Sequence, residues 1–222
     1  MTLVEFLVVG GIIFLLTALL LPTSPRHGRH PSIAVTKLDM CGLAAAIRQY
    51  EGTYNHLPIA NSNTNRDVTF GIAPTDLEGF RKLNETQLVA ANSGLMIILM
   101  NIDQGVNAGH KMNPQQHVFL SPKMVKDPKQ GGVSITDYQY RDPWGNPYII
   151  SLDANHDDHV RDACYASAIS SLNPASLALT NRGGFFELAD NVMIWSRGPD
   201  GKASMAAPAG AGVNKDNVLG WR

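Results

Sequence analysis

One carboxylate sits where a carboxylate is costly. Glu5 lies inside the run Met1 to Leu21, and every other residue of that run is uncharged and mostly apolar. A charged side chain buried in such a run costs on the order of 2.5–3.5 kcal/mol on insertion scales, so it marks a partner or a function. The positive charge available at that depth is the Met1 ammonium of a neighbouring copy, at a helix end that lacks acceptors. A second candidate is acidic. Asp153, Asn155 and Asp157 place oxygens at alternate positions, as in the first half of a calcium loop. Asp158 stands where a glycine is wanted, and no bidentate glutamate follows, so a solvated acidic hairpin tip is the stronger reading. His156 and His159 lack a third zinc ligand nearby. There is no Gly-x-Ser-x-Gly elbow, phosphate loop, His-Glu-x-x-His or Cys-His constellation, and the chain is read as a non-enzyme.

The elements that must position these groups follow from pattern. A helix over 1–21 would span roughly the 30 Å hydrocarbon core of a bilayer. Pro22, Pro25, Gly28 and Pro31 cannot continue it, which predicts a broken connector over 22–31. The remaining residues of the 222 suffice for one domain, 32–222, with its own core. A net charge of −1 with dispersed basic residues argues against nucleic acid as a partner. Two cysteines, Cys41 and Cys164, allow one bridge in an oxidising compartment or two free thiols, and both readings stay open.

Within the domain, Ser32 caps a helix whose Ala34, Leu38, Cys41, Ala45 and Ile47 form an apolar stripe, with Gly52 as its stop. Tyr50 and Tyr54 would pack against a sheet. An insertion is predicted around 61–130, containing a helical stretch from Asn84 to Met100 and an irregular excursion over 107–127. From Val133 the pattern turns to strands: Ile135, Tyr138 and Tyr140 alternate, a turn follows over 142–147, and Tyr148 to Leu152 returns. Cys164 is expected to open another strand, and Val192 to Ser196 is a further apolar one.

The stretch Thr2-Leu3-Val4-Glu5-Phe6-Leu7-Val8-Val9, with Pro22 closing the apolar run, resembles the mature N-terminus of type IV pilins and type II secretion pseudopilins. Asp142-Pro143-Trp144-Gly145-Asn146-Pro147-Tyr148 is similar to the turn and strand of the major pseudopilin. The resemblance implies an α+β, pilin-like fold: a long hydrophobic N-terminal helix broken near Pro22–Pro31, and a stalk helix packed on a small antiparallel sheet. It implies Met1, Glu5 and Pro22 as assembly residues, with Met1 exposed and methylated by a prepilin peptidase. The subunit would be stored in the bacterial inner membrane, passed to an assembly platform and polymerised with copies of itself into a cell-surface filament. Ser196-Arg197-Gly198-Pro199-Asp200-Gly201, followed by Asp216-Asn217-Val218, resembles the calcium loop of that family. The resemblance thus implies calcium held by Asp200 and Asp216, with Ser196 as an oxygen donor. Two alternatives remain beside the major filament subunit. One is a minor pseudopilin of a type II secretion apparatus. The other is a single-span surface binding protein, for which Arg26, His27, Arg29 and His30 would bias the remainder to the cytoplasmic side.

Overall fold

The computed structural model describes residues 29–60, 65–72, 88–167 and 177–222, together with residues 4, 7, 10 and 11. The chain divides into two units, Met1–Pro31 and Ser32–Arg222, and each is described by itself. In the first unit Val4, Leu7, Gly10 and Gly11 are helical, and Val4 and Leu7 are 67% and 65% exposed. Met1, Glu5, Pro22 and the connector up to residue 28 lie outside the described residues.

The long helix, α1, spans Arg29–Tyr54. It begins ahead of Ser32 because Pro31 falls in its first turn, where a missing N–H costs nothing. It passes through Gly52 and ends where Asn55 takes φ 57° and its N–H reaches Glu51 O at 2.7 Å. Its buried stripe is Met40, Leu43, Ala46, Ile47 and Tyr50, all at 2% exposure or less. That corrects the expected stripe: Ala34, Leu38, Cys41 and Ala45 face outward, with Leu38 72% exposed. The reason is area. Met, Leu, Ile and Tyr remove far more apolar surface from water than Ala and Cys do, so the heavier face turns inward.

The strands are β1 (Val68–Phe70), β2 (Leu88–Ala90), β3 (Met124–Val125), β4 (Gly132–Ser134), β5 (Tyr140–Arg141), β6 (Ile149–Leu152), β7 (Leu179–Arg182), β8 (Phe185–Leu188), β9 (Val192–Ser196) and β10 (Val218–Leu219). A five-stranded sheet has the order β10-β9-β6-β1-β2, a three-stranded sheet β3-β4-β5, and β7-β8 forms a hairpin. β1 pairs with β2 in parallel, as β3 does with β4. A parallel pair needs a crossover rather than a tight turn, and residues 71–87 supply that length between β1 and β2.

This overturns the expected α+β, pilin-like architecture. In place of one small antiparallel sheet, the described residues form three, two of them carrying parallel pairs. Among the described residues no helix is long and apolar enough to cross a membrane, and no long hydrophobic N-terminal stalk is found. α1 is excluded from that role by the arginines, lysine, aspartate and glutamate along it. Smaller expectations fall with it. Among the described residues of the anticipated helix, 88–90 are a strand and Ser93–Leu99 is helical (α2). Ile135 lies in the turn between β4 and β5, not in a strand. Cys164 belongs to a turn.

Alternation in β6 and β9 builds two cores. Ile150 pairs with Ile194 and Leu152 with Val192, and all four join α1 in the first core. Ile149 pairs with Trp195 and Ser151 with Met193; Ile149, Trp195 and Met193 enter the second core with Val160, Cys164, Tyr165 and Leu188. Covered on both faces, the two strands read as continuous apolar runs. Asn92, wholly buried, links the sheets: its Nδ2 donates to Tyr140 O and Tyr148 O, at 3.0 and 2.9 Å, and its Oδ1 accepts from Tyr140 N at 3.1 Å. Tyr50 and Tyr54 do not rest on the sheet alone. Tyr50 donates to Met112 O and Tyr54 to Asn113 Oδ1 (2.6 Å), and both rings meet Phe119, pinning the excursion of residues 105–120 to α1.

Candidate functional site

The turn over 142–147 and the loop after β9 are joined through buried polar groups. Asp142, wholly buried, accepts from Trp144 N and Asn146 N, both at 2.9 Å, and from Asn146 Nδ2 at 3.3 Å. The Ser196 hydroxyl also donates to it, and Gly198 N donates to Ser196 Oγ at 2.9 Å. Asn146 Nδ2 then reaches Gly198 O at 2.8 Å. Burial raises the Asp142 carboxyl above its ordinary range, opposed by the bonds from Ser196, Asn146 and Trp144. Gly198 has φ +66°, and a Cβ there would lie 2.0 Å from Asp216 O. The backbone of the last loop therefore presses directly on the end of β9.

The expected calcium donors are distributed over this junction. Ser196 is committed to Asp142, Asp200 Oδ1 accepts from Lys202 N at 2.9 Å to close its own turn, and Asp216 lies opposite Gly198. Among the described residues no three His, Cys, Asp or Glu side chains gather closely enough to hold a metal ion. The second oxygen-rich stretch is likewise turned inward. Asp153, 3% exposed, accepts from Asp157 N at 3.2 Å and Asp158 N at 2.8 Å, so its carboxylate closes the loop. Asn155 is exposed, and Asp157 accepts from His159 N at 3.1 Å and pairs with Arg182 at 3.2 Å. Cys41 is exposed and Cys164 buried, and no disulfide bridge joins them. Burial pushes the Cys164 thiol well up.

Three buried carboxylates escaped the sequence reading or were read only as turn formers. Asp142 was legible as part of a turn, but its burial was not. Asp162, 1% exposed, accepts from Ser151 Oγ at 2.8 Å, Trp195 Nε1 at 2.9 Å, Cys164 N at 2.8 Å and Tyr165 N at 2.9 Å. Asp67, 5% exposed, accepts from Arg161 N at 2.7 Å through Oδ2, while its Oδ1 is buried without a partner. Burial, with like charge from Asp153 and Asp157, pushes Asp67 up to about 7 against the Arg161 bond and charge. Comparison with protein-family models, curated proteins and solved structures finds no match to this chain.

Proposed function

We propose that this chain is a structural subunit of an extracellular type IV pilus-like or pseudopilus filament. It polymerises through its N-terminal apolar segment, where Glu5 pairs with the Met1 ammonium of a neighbour. The observation that carries the reading is the single charge, Glu5, in the apolar run Met1 to Leu21. An intramembrane carboxylate needs a partner, and a neighbouring N-terminus in the same register supplies one. Two features add support. Val4 and Leu7 are exposed apolar side chains on helical backbone. On α1, Val35 and Leu38 are exposed at 48% and 72% beside Ala34, Cys41 and Ala45, a strip of the kind that subunit packing covers.

The reading includes a calcium ion at Asp200 and Asp216, drawn from the resemblance alone. Two carboxylates supplemented by backbone carbonyls are a hard-oxygen donor set. If this holds, the melting temperature in millimolar calcium exceeds that in chelator, and Asp200→Asn removes the difference. Assembly is tested by shearing cells, pelleting surface material and imaging it by electron cryomicroscopy, with mass spectrometry of the N-terminus. Filaments built of this chain support the reading. Glu5→Ala assembling as well as the parent, or a chain confined to the membrane fraction, overturns it and promotes the single-span binding protein.

A further inference from the structure

Residues 153–161 form a strap that leaves the end of β6 and returns to the start of β1. At its first end Asp153 N donates to Asn191 O at 3.1 Å, and the Asp153 carboxylate accepts from Asp157 N and Asp158 N at 3.2 and 2.8 Å. Near its second end Val160 and Leu188 exchange two backbone bonds of 2.8 and 3.0 Å. Between them His156 and Asp158 take φ of 58° and 63°, left-handed backbone that side chains of this size resist. The strap keeps that shape only while its ties hold. One tie is Arg161 N, which donates to Asp67 Oδ2 at 2.7 Å.

Asp67 is badly placed to carry a charge. It is 5% exposed, its Oδ1 is buried without a partner, and the like charges of Asp153 and Asp157 on the strap act on it. Cations on the surrounding elements are drawn to other groups. The Arg161 guanidinium donates from Nε to Glu187 on β8 at 2.8 Å and lies 4.2 Å over the Phe185 ring. Arg182 on β7 pairs with Asp157 at 3.2 Å, and Arg66, next to Asp67 in the chain, is exposed. Burial foremost, with the two like charges, pushes the Asp67 carboxyl up to about 7 against the bond and charge of Arg161. Protonated, it is neutral beside Asp153 and Asp157, and its Oδ2 still accepts from Arg161 N. Ionised, it is a buried charge facing two of its own sign, and moving the strap away lets water reach all three.

We infer that Asp67 is a pH-sensitive latch: neutral, it holds the strap of residues 153–161 against the start of β1, and ionised, it releases the strap while the sheet stays paired. The carboxyl binds its proton more tightly with the strap closed than with the strap open. The hold is therefore complete below the ordinary 3.8, weakens as pH rises towards about 7, and is gone above it. The latch is independent of filament assembly, so failure of either leaves the other standing.

The test uses the full chain in micelles of an uncharged maltoside detergent. Amide hydrogen exchange is read residue by residue at about pH 5.5 and about pH 8.5, as protection relative to the intrinsic rate at each pH. The Val160 and Arg161 amides should be less protected than those of β6 and β9, because the strap opens without the sheet. Their protection should fall about thirtyfold between the two pH values, the change expected when a carboxyl at about 7 closed returns to 3.8 open. Asp67→Asn should abolish that fall. Asp157→Asn removes one like charge, keeps an acceptor for His159 N, and should make the fall smaller. Asp103→Asn, at an exposed carboxylate outside the strap, should leave it unchanged. Protection at Val160 and Arg161 equal to that of β6 and β9 at both pH values overturns the latch, since the strap then opens only with the whole domain. So does a fall that persists in Asp67→Asn, or one absent from the parent.

Discussion

Replacing Asp67 by asparagine should make this protein's stability less sensitive to pH, in a direction opposite to that of a salt-bridged carboxylate. Asp67 is 5% exposed, one of its oxygens has no partner, and its carboxyl is pushed from the ordinary 3.8 up to about 7. The folded state therefore holds the proton more tightly than the unfolded state does. That contribution to stability is complete below the unfolded value, declines as pH rises from about 4 to about 7, and is gone above it. At about 1.36 kcal/mol per pH unit, the whole window amounts to roughly 4 kcal/mol, and the part between about pH 5 and pH 7 to roughly 2.7 kcal/mol. Asparagine carries no charge at any of these pH values. Its carbonyl can keep the bond from Arg161 N, while its amide places a donor where Oδ1 stood. An unsatisfied buried donor costs about 1–3 kcal/mol, a penalty independent of pH. Urea unfolding of parent and Asp67→Asn in uncharged micelles, at about pH 5 and about pH 8.5, isolates the titration because other groups cancel in the difference. The variant should gain roughly 2–3 kcal/mol relative to the parent across that interval. A difference that stays constant with pH would refute the argument that burial, with like charge from Asp153 and Asp157, holds this carboxyl protonated.

Three further outcomes follow from individual contacts. Asp162→Ala removes the shared acceptor of four buried donors, Trp195 Nε1 among them, and should cost about 3–5 kcal/mol with an altered Trp195 environment, read by thermal melting and fluorescence. Gly198→Ala places a methyl 2.0 Å from Asp216 O at φ +66° and should cost about 2–4 kcal/mol, whereas Gly42→Ala, with open space around it on α1, should be neutral or slightly stabilising. Arg48→Gln removes the exposed pair with Asp190 and should change stability by less than about 1 kcal/mol in denaturant titration, falling further at high salt.

The contrast between the two helix faces of α1 explains how far pattern can be read. Helical spacing was visible in Ala34, Leu38, Cys41, Ala45 and Ile47, and the segment is helical. Yet the stripe that enters the core is Met40, Leu43, Ile47 and Tyr50, because two overlapping apolar stripes compete and the one with more area wins. A similar conflict arose over 84–100, where a helical pattern from sequence met a strand at Leu88–Ala90 that exists only because β1 offers a parallel partner. Short strands draw their stability from such pairing, which lies far away in sequence. The buried carboxylates were illegible for a related reason. Aspartate beside a turn reads as solvated, and only the packing of β6, β9 and the turn over 162–167 puts Asp162 among four donors.

The sequence by itself determined what local chemistry controls: an apolar run with one carboxylate, a proline-rich interruption, a turn at Asp142 to Asn146, and apolar strands at 149–152 and 192–196. Those features depend on residues a few positions apart, whose steric and hydrogen-bonding preferences act without the rest of the chain. Tertiary structure alone decided which helix face is buried, that the described strands form three sheets, two of them with parallel pairs, and that Cys41 and Cys164 stay apart, unbridged. It also brought Lys37 Nζ to Arg222 O, at 3.2 Å. These are contacts across more than a hundred residues, selected by the total apolar area a packing buries and by the satisfaction of buried polar groups, quantities that no short window of sequence contains.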